Sequence, residues 1–220
     1  MTHHDASSLR RRLIITAAAL PAAGLLASVA HAQAQPREGA QYTVVKPPQP
    51  TEGKGKIEVI EFFWYGCPHC YHLQPALHAW QKKVPADVVV RHVPVAFSPD
   101  REPHSRIWYT LEAMGLVEQL HMKVFDAIHK ERQMLLKEDE IANFAAKNGV
   151  DRAKWLETFK SFGVATRAQA ARRMVDAYRL DGTPSLAVAG RFMTSPAAAG
   201  SVEGTFTVVD YLIDQVRKGR

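Results

Sequence analysis

The sequence predicts an α/β fold interrupted by a helical insertion domain. Three observations carry this. Strand-like segments at 57–64 and 88–95 flank a helical one, and a hairpin pattern returns at 185–194. From about Pro103 to Tyr178 there is no strand pattern, while apolar residues recur at three- and four-residue spacing in five successive stretches. Removing those five stretches leaves a small, continuous α/β unit.

The chain begins with a segment read as a leader. Arg10, Arg11 and Arg12 are followed by an apolar run from Leu13 to about Val29, then by Ala30-His31-Ala32. A basic start, a short apolar core and a small-x-small site make a secretory signal peptide, with cleavage expected after Ala32. A membrane anchor is the alternative, but Pro21 and Gly24 interrupt the run. Ser8 to Ile14 also loosely fits a twin-arginine address, so the export route stays open.

After the leader, Tyr42 to Val45 reads as a short strand and Lys46 to Lys56, with three prolines and two glycines, as a loop. Ile57 to Trp64 reads as a buried strand ended by Gly66. Leu73, Leu77 and Trp80 mark a helix from Cys67 to about Lys83. Pro68 suits its first turn, and Pro75 is expected to kink it. Val88 to Val95 is the next strand. The five helices follow. The first ends near Gly115, the third stops at Asn148-Gly149, Asp151 caps the fourth, and the fifth spans Ala165 to Tyr178. Ser185 to Ala189, a Gly190-Arg191 turn and Phe192 to Thr194 form a hairpin. Ser195 to Gly204 reads as a loop, and Thr207 to Lys218 as a final amphipathic helix. The organisation is thus a leader at 1–32, a first α/β part at 33–102, a helical insertion at 103–178 and a second part at 179–220.

The chain has 220 residues with 28 Lys+Arg and 22 Asp+Glu, a net charge of +6. Losing three arginines and Asp5 with the leader would leave +4. The charges are scattered, so neither nucleic acid nor an anionic membrane is indicated as a partner.

Two cysteines, Cys67 and Cys70, are the only ones present. Exported proteins that staple themselves with disulfides usually carry more, and a bond between these two would close a loop too short to constrain the unfolded chain much. Reactivity explains them better. Cys67 lies where a strand gives way to a helix, so free backbone N–H groups and the helix dipole favour its thiolate. His69 can add a donor or a charge. Cys70, one turn on, can attack a mixed disulfide on Cys67. Cys67 is therefore read as the nucleophile and Cys70 as the resolving thiol. A zinc site is the competing reading, but it lacks a second pair of ligands at suitable spacing.

The run Ile60-Glu61-Phe62-Phe63-Trp64-Tyr65-Gly66-Cys67-Pro68-His69-Cys70-Tyr71 resembles the active-site segment of DsbA-type thiol:disulfide interchange proteins of the bacterial periplasm. The Thr183-Pro184 step resembles that family's cis-proline loop. The resemblance extends over essentially the whole chain after Ala32. It implies a thioredoxin fold with a helical insertion domain, and a redox-active disulfide between Cys67 and Cys70. It also implies oxidation of newly exported, unfolded proteins in the periplasm of a Gram-negative bacterium. Reoxidation would fall to a membrane quinone-linked, DsbB-like partner. A monomer without cofactor or metal is expected.

Around this centre, Pro184 is expected to be cis and to lie beside Cys67, with the Thr183 backbone pairing with a substrate strand. An ordinary trans turn proline is the alternative. Glu61 falls in phase with Val59 and Phe63; it is either a partly buried carboxylate relaying a proton to Cys70 or a surface residue at a strand edge. His72, His78, His92, His104, His121 and His129 are read as surface or capping residues. Trp64, Tyr65 and Met193 are read as an apolar rim for substrate or as core. The rival functions are a disulfide isomerase or reductase, a metal carrier and a holdase. An isomerase needs a dimerisation segment, for which 33–56 is too short and proline-rich.

Overall fold

The computed structural model describes residues 35–219, so the leader expected at 1–32 lies outside the described residues. A five-stranded sheet, ordered β1-β5-β4-β2-β3, holds the fold together. Its strands are β1 Thr43–Val44, β2 Ile57–Phe63, β3 Val88–Pro94, β4 Ser185–Val188 and β5 Phe192–Thr194. β2 and β3 run parallel; the remaining pairs are antiparallel. β2 lies between β4 and β3, and every residue from Glu58 to Phe63 is buried. A strand covered on both faces needs apolar residues at nearly every position, which is why this segment reads as a run rather than an alternation.

Helix α1, Pro68–Gln81, connects β2 to β3. A 3-10 turn at Pro99–Arg101 then leads into five helices: α2 Glu102–Ala113, α3 Val117–His129, α4 Glu138–Lys147, α5 Arg152–Lys160 and α6 Phe162–Ala177. The sheet resumes with β4 and β5, followed by α7 Pro196–Ala199 and α8 Val202–Arg217. This is a thioredoxin-type sheet with a helical insertion. On one face Val59 and Val188 pack with Leu73 and Leu77 of α1 and with Phe206 and Leu212 of α8. On the other, Ile60, Phe62 and Ala187 join Trp108, Leu111 and Tyr178 of the helical block. Fully burying a Leu or Phe of this kind stabilises the fold by roughly 1.5–3 kcal/mol. Among the described residues no helix is long and apolar enough to cross a membrane.

α1 continues from Pro68 to Gln81 with Pro75 inside it, on its exposed side. Several local features differ from the sequence reading. The hairpin turn is Ala189-Gly190, at φ 52° and 66°, rather than Gly190-Arg191. Arg191 N–H closes it on the Val188 carbonyl at 3.0 Å. Two successive positive φ values match the twist of the flanking strands. Gly190 is also pressed against the Gln49 carbonyl, leaving no room for a Cβ. Helices α6 and α8 each start earlier than their apolar stripes suggest. Their caps explain this: Ser161 accepts from Val164 N–H and Ser201 from Gly204 N–H, at 3.3 and 2.8 Å. The short α7 lies in a segment read as loop.

Candidate active site

Cys67 is the N-cap of α1, with extended backbone at φ −91° and ψ 115°, and Pro68 follows at the first helical position. A cap residue accepts from the free N–H groups of the first turn; here a sulfur takes the place usually held by an oxygen. Cys70 N–H points at Cys67 Sγ from 3.4 Å. A tight turn presents the sulfur, closed by Cys67 N–H on the Trp64 carbonyl at 2.9 Å. Gly66 makes this turn possible, because a Cβ there would run into the Trp64 indole.

The Thr183–Pro184 bond is cis. Pro184 is buried, and the Cys67 thiol donates to the Thr183 carbonyl at 3.2 Å. Ser185 holds the loop by donating to the Gly182 carbonyl at 2.9 Å. The fold thus brings Cys67, Cys70, Thr183 and Pro184 together from opposite ends of the chain. Pro68 and His69 are exposed beside them.

The two thiols have opposite environments. Cys67 is 8% exposed and Cys70 is 0% exposed. As a thiolate, Cys67 accepts from the Cys70 thiol, then from the Thr183 side chain and the N–H groups of Cys70 and His69. These outweigh burial and lower its pKa from 9.0 to about 5. Cys70 moves the other way: burial, the bond it donates to Cys67, and the charges of Cys67 and Glu61 push its pKa far up. The His69 contribution comes from its backbone N–H, not from the imidazole charge considered from the sequence. Chemically this is a nucleophile with a leaving group's stability, next to a thiol that stays protonated until a reaction removes its proton.

A match to the DSBA-like thioredoxin domain covers residues 58–203. The chain belongs to the DsbA-like thioredoxin family. It is 46% identical over 201 residues to a thiol:disulfide interchange protein DsbA of Bordetella parapertussis, covering 90% of this chain and 96% of that one. With the Pseudomonas aeruginosa DsbA it shares 39% identity over 207 residues, 94% and 97% of the two chains. The crystal structure of P. aeruginosa DsbA superposes with a TM-score of 0.79 at 39% identity, over 82% of this chain and 94% of that one. The DsbA oxidoreductase of Xylella fastidiosa gives 0.77 at 33% identity, over 83% and 98%. A DsbA-family chain with this cysteine pair is a thiol:disulfide oxidoreductase.

Behind the cysteines of this DsbA-family chain lies a polar network. Glu61 is fully buried, not at a surface edge. Gln74 donates to its Oε1 at 2.7 Å, and His92 Nδ1 lies 2.6 Å from its Oε2. Gln74 also reaches the Cys70 carbonyl at 3.4 Å. Tyr65, fully buried, meets His121 Nδ1 at 2.8 Å and so belongs to the core and not to a substrate rim. Trp64 is half-buried, stacked on His104 and covered by the Arg101 guanidinium 4.3 Å from its ring. Met193 is half-buried on β5 against the core.

Four histidines belong to this interior, where the sequence suggests surface or capping residues. His104 donates to the Met134 carbonyl and His129 to the Tyr65 carbonyl, each at 2.8 Å. Burial lowers His104 to about 4 and His121 to about 3, so both stay neutral. His92 is the fourth; His72 and His78 are exposed. Two sequence signals point to this network. Gln74 is four residues after Cys70 on the same helix face, and His121, Phe125 and His129 form an i, i+4, i+8 stripe on α3.

Proposed function

We propose that this protein is a dithiol oxidase of the Gram-negative periplasm, donating the Cys67–Cys70 disulfide to newly exported proteins. The observation that carries this is the split between the two thiols. A substrate thiolate attacks Cys67 of the oxidised protein; the new bond forms between those sulfurs, the Cys67–Cys70 bond breaks, and Cys70 leaves with the electron pair and takes up a proton. A second substrate thiol then attacks the substrate sulfur of the mixed disulfide. Cys67 leaves readily because its thiolate is held at a pKa of about 5. The substrate is oxidised to a disulfide and this chain is reduced to the dithiol.

In this reading Pro68 preorganises the first turn of α1, and His69 supplies its N–H to the leaving sulfur. The Thr183 backbone before Pro184 pairs with an extended substrate segment beside Cys67. Glu61 exchanges a proton with Cys70. The protein acts as a monomer without cofactor, enters the periplasm through a cleaved leader, and is returned to the disulfide by a DsbB-like membrane partner linked to quinone.

The test is trapping. Cys67→Ser is expected to abolish reaction with peptide thiols and disulfides, whereas Cys70→Ser accumulates mixed disulfides through Cys67, detected by non-reducing gels and mass spectrometry. Mixed disulfides formed through Cys70 alone would reverse the assignment.

A further inference from the structure

The surface beside Cys67 carries a cation that the local fold does not call for. Arg101 is the N-cap of α2, yet its side chain makes no capping hydrogen bond. A guanidinium has donors only, so it cannot accept from the free N–H groups of the first turn. A positive charge at the positive end of a helix is also unfavourable. Ser, Thr, Asp or Asn would serve this helix better. A residue that breaks a local rule without local gain is where function is expected.

Ion pairing within the chain does not explain the residue either. Among the described residues Arg101 makes no salt bridge. Its acidic neighbours in sequence are engaged elsewhere: Asp100 with the Ser98 side chain, and Glu102 with Arg106 at 2.8 Å. The guanidinium lies instead over the Trp64 ring, 4.3 Å from its centroid. Stacking of this kind uses the face of the guanidinium and leaves its N–H edge free to take a carboxylate. Arg101 and Trp64 are both half-buried, so that edge is within reach of a partner.

Trp64 ties this charge to the redox centre. Its indole rests against Gly66, the residue before Cys67. His104 stacks on the same indole, 5.7 Å between ring centroids, and stays neutral at pH 7, so the charge of the stack is that of Arg101. Following the contacts from Cys67 Sγ through Gly66 and the indole bounds the distance to the guanidinium at about 16 Å, with standard bond lengths. An extended chain rises about 3.3 Å per residue, so this is a span of about five substrate residues at most.

We propose that Arg101 is a specificity-determining residue that reads an acidic side chain of the substrate, Asp or Glu, close in sequence to the cysteine engaged at Cys67. The carboxylate takes the free edge of the guanidinium while the Trp64 ring holds its face. The proposal rests on the reading that extended thiol-bearing segments of exported proteins attack Cys67.

The test uses the oxidised mature protein and a set of dithiol peptides. Each pair differs only by Asn or Asp, placed at one of the five positions on either side of the attacking cysteine. Second-order rates of reduction are read by acid quench and mass spectrometry. An added Asp also changes the peptide's own thiol, so the readout is the Asp-to-Asn rate ratio of the parent divided by that of each variant. At one position or more the parent is expected to favour Asp about three- to five-fold, the worth of a half-exposed ion pair. Arg101→Gln should abolish the preference, Arg101→Lys keep part of it and Arg101→Glu reverse it, and salt at about 0.5 M should shrink it in the parent. An arginine that only supports Trp64 would change both rates of a pair alike. An Asp preference at no position, or one that survives in Arg101→Gln, would overturn the proposal. Reduction by none of the peptides would instead refute the attack of extended thiols on Cys67, and the specificity with it.

Discussion

Reducing the disulfide should stabilise this protein at neutral pH, and acid should reverse the effect. The Cys67 thiol has a folded pKa of about 5 against about 8.5 in an unfolded chain. An acid with a depressed folded pKa adds stability that is full above the unfolded pKa and is lost as pH falls through the folded one. At pH 7, two pH units above the folded value, that is about 3 kcal/mol, and the 8% exposure of the residue limits screening by water. The oxidised form has no thiolate and gains only the loop constraint of its cross-link, roughly 2 kcal/mol for so short a loop. The reduced form is then the more stable by about 1 kcal/mol at pH 7, and the order inverts below about pH 6.5. Cys70 adds a second limb. Its pKa is pushed up in the folded state, so above about pH 8.5 the unfolded chain loses a proton that the folded one keeps, and the advantage declines again. Urea midpoints of both forms from pH 5 to 10, converted with a common slope, measure this directly. A difference that does not change with pH, or an oxidised form more stable at pH 7, would mean that the Cys67 thiolate does not stabilise the reduced fold.

Two further outcomes follow from the surroundings of the site. His104 and His121 are held neutral with pKa values of about 4 and about 3, both lowered by burial, so the unfolded chain binds more protons than the folded one below about pH 6.5. Both redox forms should therefore lose stability together on acidification from there, visible as a parallel fall in thermal midpoint; midpoints flat down to pH 4 would mean that these rings are hydrated. Gly66→Ala forces a Cβ into the Trp64 indole and should cost about 1–3 kcal/mol while slowing reaction at Cys67, measured by denaturant unfolding and thiol alkylation. Unchanged stability and alkylation would mean that the turn has room to relax.

Much of the fold was legible because its elements carry their own periodicity. β2 announces itself as a bounded apolar run and the helical block as five stripes, and Asp151 was readable as the cap of α5, accepting from Lys154 N–H at 2.8 Å. Helix starts at Phe162 and Val202 were missed because the capping serines lie several residues before the first apolar stripe residue. At the site, Cys67 and Cys70 lie three positions apart in sequence and need no fold to be found. Glu61 left two readings open, since the sequence does not show that α1 closes over that face of β2. The rest of the network depends on long-range register. Nothing local places His92 opposite Glu61, 31 residues away, or Tyr65 against His121, 56 residues away. A histidine's burial is decided by what packs over it, and for His104 and His121 that is the aromatic layer of Trp64, Trp108 and Phe125.

A dithiol oxidase gives its disulfide away readily. The equilibrium of the Cys67–Cys70 pair with defined ratios of reduced and oxidised glutathione measures that tendency in one titration, with the redox state read by tryptophan fluorescence or by trapping. A thiolate held at a pKa of about 5 favours the reduced form, so the potential should lie above about −180 mV, towards the oxidising end of the superfamily. A value near about −270 mV, where a thioredoxin-type reductant works, would mean that this chain keeps its disulfide and is no oxidase.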